Sequence, residues 1–296
     1  GNSQFDREVL FLCLVGDLPS SIMIMKINRS LPVAGFASAV FLLGLSQASA
    51  KVSVSKLFGD HMVLQQEAPI RLWGAAEPGE QVIVGVAGGG NALVKADEKG
   101  RWKVELPAMK ADGKARTITV QGSKEGDKVT LKDVLIGEVW LCSGQSNMEW
   151  SVRQSMNADR EIAGAKHPQI RLFNVPGHVR NAEPLEDPRG QWQVCSPQTI
   201  SGFTAVGYSF GRELQKALKV PIGLVGTNWG GTRIEPWTPP VGFKSVPDLK
   251  DYVDNLEAIE ASKKNGGNRP RPKGGAVEIF NGMVAPLVPL LSLIHI

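Results

Sequence analysis

The chain has 296 residues, of which 42% are hydrophobic and 21% charged, with a formal net charge of +4. This composition excludes a disordered chain and a membrane-embedded one, and the length allows two ordinary domains. Residues 1–50 carry three basic and three acidic residues, so the net charge belongs wholly to residues 51–296. No Lys/Arg cluster gives a nucleic-acid footprint.

Residues 1–24 precede the expected initiating Met25 and are read as upstream translation outside the fold. Met25-Lys26-Ile27-Asn28-Arg29 is a short basic start, Leu31 to Leu45 is largely apolar, and Gln47-Ala48-Ser49-Ala50 supplies small residues. Together they have the form of a secretory signal over 25–50, cleaved after Ala50. The apolar run is short for a span and contains Pro32, so no stable membrane insertion is expected after cleavage. The expected location is secreted or periplasmic.

From Lys51 to Ile136 short β runs alternate with turn residues. They are Met62–Gln65, Ile70–Trp73, Gln81–Val86, Arg101–Leu106, Thr117–Val120 and Val129–Leu131, with turns at Glu77-Pro78-Gly79-Glu80 and Asp97-Glu98-Lys99-Gly100. The pattern predicts a small antiparallel β-sandwich over 51–136. Trp73 and Trp102 sit in alternating strands, which assigns them to core packing before sugar stacking.

At Gly137 the pattern changes. Val139-Trp140-Leu141-Cys142 is an apolar run that ends in Ser143-Gly144, and Gln145-Ser146-Asn147-Met148 comes immediately after it. This profile predicts a buried strand that delivers Ser146 to the rim of a sheet, where open α/β sheets bind ligands. It is not the α/β-hydrolase elbow, because Met148 stands where that motif has glycine. Val206, Phe210, Leu214 and Leu218 fall at four-residue spacing and predict a helix presenting that face, closed by Pro221. Ile222–Gly226 reads as the next buried strand, giving the βαβ rhythm of a parallel sheet. Asp248 to Lys264 is a second predicted helix, with Leu249, Val253, Leu256 and Ile259 on one side, and Asn265 to Gly275 a surface loop. Cys142 and Cys195 are expected as buried free thiols, since the first ends a central strand. No Cys/His spacing suggests a metal site.

Gly144-Gln145-Ser146-Asn147-Met148 resembles the first block of SGNH-type esterases, in the branch of the sialate O-acetylesterases. Pro221-Ile222-Gly223-Leu224-Val225-Gly226-Thr227-Asn228-Trp229-Gly230-Gly231-Thr232-Arg233-Ile234-Glu235-Pro236-Trp237 resembles that family's second block, and Ile279 to Leu287 a later segment. The resemblance covers the chain to about Leu290; residues 291–296 are an unmatched tail. It implies an α/β fold with an SGNH-hydrolase-like parallel-sheet domain, present here as its amino-terminal part over 137–290, preceded by the β domain. It also implies Ser146 as nucleophile, with its own N–H and that of Gly230 or Gly231, preferably Gly231, as oxyanion donors. Gln145 and Asn147 are implied as substrate-binding.

Ester hydrolysis through an acyl-enzyme also needs a base and a group to orient it. The family's later Asp-x-x-His block is missing. His61 lies in the β domain, His167 in a loop before Pro168, His178 in a polar stretch and His295 in the tail, and none is assigned as the base. Glu149 and Glu235 read as structural or substrate-side groups. The expected function is therefore a carbohydrate O-acetylesterase acting on an O-acetylated sugar, most like a sialate O-acetylesterase, without a cofactor. The catalytic His and Asp are expected outside this chain, which by itself should be nearly inactive. The alternatives are an acetylxylan-type esterase and a non-catalytic glycan-binding protein on the same scaffold.

Overall fold

A computed structural model describes residues 51–267 and 270–290. The segment over 25–50 expected to be a signal, the residues before it and His295 with the rest of the tail lie outside the described residues. The amino-terminal part runs through β1 (Ser53–Val54), β2 (Val63–Gln65), β3 (Ile70–Ala75), β4 (Gln81–Val86), β5 (Gly90–Lys95), β6 (Arg101–Leu106), β7 (Arg116–Gln121) and the long β8 (Lys128–Gly144). Strand burial alternates as the residues do: in β6, Trp102, Val104 and Leu106 point inward and the charged residues between them outward. Trp102 is 2% exposed and donates its indole N–H to the carbonyls of Ser53 and Ala75. Trp73 is partly buried, edge-on against Phe58.

β1, β3 and β6 form one antiparallel sheet. β5, β4 and β7 pair antiparallel up to the first half of β8, which ties them to a larger mixed sheet. The second half of β8 is joined there by β9 (His167–Asn174), β10 (Trp192–Cys195) and β11 (Ile222–Asn228), in the order β10-β9-β11-β8. β8, β11 and β9 are parallel and β10 is antiparallel. β8 thus runs without a break through Ile136 and Gly137, where the composition changes. His167 opens β9 and is not in a loop as expected; Pro168 is tolerated there because it sits at the start of the strand.

The parallel part is covered on both faces, as its continuous apolar strands require. Val139 and Leu141 pack with Val225, Phe173 and Trp192 on one side, together with Ile279, Met283 and Leu287. Cys142 packs with Leu224, Leu172 and Ile170 on the other. On that side lie α1 (Ser146–Glu149), α2 (Ala158–Gly164) and α3 (Ala205–Leu218); α4 (Pro240–Lys244) and α5 (Lys250–Lys264) come later in the chain. The predicted second helix begins at Lys250, after a 3₁₀ turn at Pro247–Leu249.

The buried face of α3 corrects the expected one. Gly207, Tyr208 and Gly211 are buried, whereas Val206 and Leu218 are 44% and 48% exposed. A strict four-residue repeat drifts around a helix of 3.6 residues per turn, so that stripe does not stay on one face. The sheet is approached through the glycines: a side chain at Gly211 would start 2.6 Å from Leu224, and one at Gly207 2.8 Å from Cys142 Sγ. Gly211→Val is therefore expected to destabilise the fold by about 2 kcal/mol through overpacking. Urea unfolding would show it, and a stabilised variant, as for an exposed helix glycine, would contradict this packing.

Cys142 and Cys195 are buried free thiols on β8 and β10. Two strands separate them, roughly 14 Å of sheet, too far for a bridge. Burial pushes both thiols up to about 12. No helix of the described residues is long and apolar enough to cross a membrane.

Candidate functional site

The site is placed by register. β8 and β11 end level, with Ser143 opposite Thr227 and Gly144 opposite Asn228. The next loops, Gln145–Ser146 and Trp229–Gly230–Gly231, therefore leave the carboxyl end of the sheet side by side, where ligands bind in such sheets. The Trp229 N–H donates to the Gly144 carbonyl at 3.0 Å and locks the loops together.

Ser146 is exposed and opens the single turn of α1. That turn is seated by Met148, which packs into the core under α3 and accepts from the Thr204 hydroxyl at 3.3 Å. Among the described residues the Ser146 hydroxyl bonds only the Gln145 side chain, Oγ to Oε1 at 3.4 Å, which is weak at that length. Gln145 and Asn147 flank it, both exposed. Among the described residues no histidine bonds Ser146.

Gly230 faces the serine: a side chain there would begin 3.5 Å from Ser146 Cα. Its N–H donates to Glu149 Oε2 at 2.8 Å, so Glu149 holds the donor that sequence reasoning left open as an oxyanion contact. Gly231 sits at φ +72, with no heavy atom within 4 Å of where a side chain would start. The turn is closed by Thr232, which donates to the Trp229 carbonyl at 2.7 Å and accepts from the Trp237 indole at 2.8 Å.

Glu149 also meets His178 Nε2 through Oε1 at 2.7 Å. That hydrogen bond and the Gly230 N–H hold the Glu149 carboxyl below its ordinary range, against the opposing effect of partial burial. The His178 ring stacks on Trp229, centroids 4.3 Å apart and planes at 6°, and the Arg180 guanidinium lies 4.9 Å from the same ring's centroid. The sequence offers no signal for this cluster, because residues 178–180 reach the site through a loop after β9 and carry no spacing relation to Ser146.

The other described histidines are remote. His61 pairs with Asp133 at 2.7 Å, and Asp133 is eleven residues before Gly144 on β8, on the order of 30 Å along the strand. His167 is at the amino-terminal end of β9, and burial lowers its pKa, aided by Arg212 and Lys216. Glu235 bonds Tyr252 at 3.3 Å and lies outside the cluster. Among the described residues no three His, Cys, Asp or Glu side chains are grouped to hold a metal.

Comparison with known proteins gives consistent matches. Residues 136–269 match the model of the family described as carbohydrate esterase, sialic acid-specific acetylesterase. The chain is similar to the sialate O-acetylesterase of Homo sapiens, 34% identical over 272 residues that cover 86% of this chain and 50% of that protein. The mouse (Mus musculus) protein of the same name is 32% identical over 238 residues, covering 74% and 44%. The fold is similar to a crystal structure of a carbohydrate acetylesterase from Xanthomonas citri. Its TM-score is 0.67 at 34% identity, covering 81% of this chain and 49% of that one. The chain spans about half the length of the curated relatives it matches.

Proposed function

Since the chain belongs, through residues 136–269, to the sialic acid-specific acetylesterase family of carbohydrate esterases, we propose that it carries the nucleophile half of a carbohydrate O-acetylesterase with an O-acetylated sialic acid as substrate. The observation that carries the reading is the level ending of β8 and β11, which brings Ser146 beside the Gly230-Gly231 turn. In this reading Ser146 Oγ attacks the acetyl carbonyl carbon, the sugar oxygen leaves with a proton, and water then releases acetate from the serine. The Ser146 N–H and the Gly231 N–H stabilise the oxyanion. Gly231 is preferred to Gly230 because the Gly230 N–H already serves Glu149. Gln145 and Asn147 border the acyl position as substrate contacts.

The fold is read as an SGNH-hydrolase-like sheet preceded by a β-sandwich, a reading supported by the two antiparallel layers that share the Trp102 core. The signal-like segment over 25–50 makes the substrate a glycan outside the cytoplasm.

A serine hydroxyl is a poor nucleophile at neutral pH without a base. With no histidine on Ser146 among the described residues, the chain alone is expected to release acetate slowly. An oxyanion hole and binding alone give roughly a thousand-fold over water. The experiment measures acetate from O-acetylated sialic acid and from acetylated xylan, using this chain and a chain extended through an Asp-x-x-His block. Fast release only from the extended chain is expected. Comparable rates from both would make His178 or His295 the base, since His61 and His167 lie at the far end of the sheet, and sugar retention without turnover in both would favour a binding protein.

A further inference from the structure

Arg180 has a seat that hydrogen-bond economy does not explain. One side is the Trp229 ring, with the guanidinium carbon 4.9 Å from its centroid. Another is the backbone of Gly275, where a side chain would start 2.7 Å from Arg180 Nη1. The third is Glu278, whose side chain is only 9% exposed. Glu278 is already taken bidentately by Arg271, Nε to Oε1 at 3.1 Å and Nη2 to Oε2 at 3.0 Å. Arg180 adds one contact, Nη1 to Oε2 at 3.3 Å, near the long end of the hydrogen-bond range.

Two guanidiniums on one carboxylate leave one positive charge uncompensated. A guanidinium carries five N–H donors, and among the described residues Glu278 is the sole hydrogen-bond partner of Arg180. The Trp229 ring that supports it belongs to the loop joined to Gly144, one residue before Gly230. A fixed, half-exposed guanidinium therefore stands at the edge of the Ser146 shelf. Such a fork matches a carboxylate in two parallel hydrogen bonds, and little rotamer entropy is left to lose when it binds. Trp229 itself is not a free stacking platform, because His178 and Arg180 occupy it.

We infer that Arg180 is a specificity residue that binds the carboxylate of an acidic sugar while its acetyl group lies at Ser146. The inference rests on the sialate reading proposed for this chain and names the group that would select a carboxylated sugar over a neutral one. Arg271 sets it up by saturating Glu278, and the Trp229 face holds its plane.

The test titrates this chain with the methyl glycoside of N-acetylneuraminic acid and with the methyl ester of that glycoside, which lacks the charge. The wild type is expected to prefer the free acid by about ten-fold, the worth of one charge-assisted pair at a half-exposed site. Arg180→Met should abolish the preference and Arg180→Lys should retain part of it, since the charge remains and the fork does not. Circular dichroism and a thermal melt check that each variant folds, and the Lys variant serves if the Met variant does not. Equal binding of acid and ester by the wild type, binding of neither, or a preference surviving in Arg180→Met overturns the inference. Ser146→Ala should keep the preference. Acetate release retained by Ser146→Ala in the extended chain thus counts against Ser146 chemistry, whereas acetate release that Ser146→Ala abolishes, from a wild type without the preference, counts against Arg180 alone.

Discussion

Ser146→Ala, in a chain extended through an Asp-x-x-His block, is expected to lower acetate release on the order of a million-fold, the loss found when a nucleophile acting in concert with its base is removed. Folding should be unaffected. The hydroxyl is exposed, and its one hydrogen bond among the described residues is the 3.4 Å approach to Gln145, so the fold does not depend on it. The seat of α1 lies elsewhere, in Met148 under α3 and in the Glu149 carboxylate on Gly230. Binding of the deacetylated sugar should likewise persist. Near-normal turnover by the alanine variant would place the chemistry on another residue. A loss accompanied by a lowered melting temperature would mean that the serine is structural after all.

Asp133→Asn is expected to cost about 3 kcal/mol of folding stability, a large share of the 5–15 kcal/mol typical of a domain. Arg171 is the reason. Its side chain is 5% exposed and lies under the amino-terminal end of the sheet, where Asp133 accepts from it twice, at 2.7 and 3.1 Å. The guanidinium also donates to the carbonyls of Pro168, His61 and Asp133. Removing the carboxylate leaves a buried cation with backbone acceptors but no counter-charge. The cost sits at the low end for a broken buried pair because Asp133 is 34% exposed and water reaches it. Asparagine keeps the left-handed backbone that Asp133 adopts at φ +54, so the loss measures charge and not strain.

The pH dependence of that loss has a definite sign. Burial pulls the Asp133 carboxyl upward, but the hydrogen bonds from Arg171 and His61 outweigh it and hold it below its ordinary 3.8. A carboxyl depressed in the folded state contributes stability that is present above its unfolded value and lost as pH falls through the folded one. The difference between wild type and Asp133→Asn in urea unfolding should therefore be constant near neutrality and shrink in acid below 3.8. A difference that stays unchanged in acid would show that the asparagine acts through packing.

Several elements are legible in the residues because their determinants are local. The strands Gln81–Val86 and Arg101–Leu106 appear at the expected residues, since period-two alternation and flanking Gly, Pro and Asp turns act over a few positions. The helix ending before Pro221 is likewise written in its neighbourhood. β9 and β10 are not legible in this way: His167 and Pro168 look like a loop, and Trp192–Cys195 is too short to show a period. The face of α3 differs from the expected one because apolar residues are not the packing signal there. At this interface the smallest residues, Gly207 and Gly211, decide how near the helix can come.

Three features are readable from the order of residues alone: a buried strand ending at Gly144 that presents Ser146, a second strand ending in a glycine turn, and no histidine in a base-like motif beside either. Those features depend on residue type and near-neighbour order. The pairing of Ser143 with Thr227, the capture of the Gly230 N–H by Glu149 and the convergence of His178 and Arg180 on Trp229 arise in the folded chain. Each of these joins residues far apart in the chain. Their meeting depends on the register of β8 against β11 and on the path of the loop after β9, which no local pattern of residues encodes.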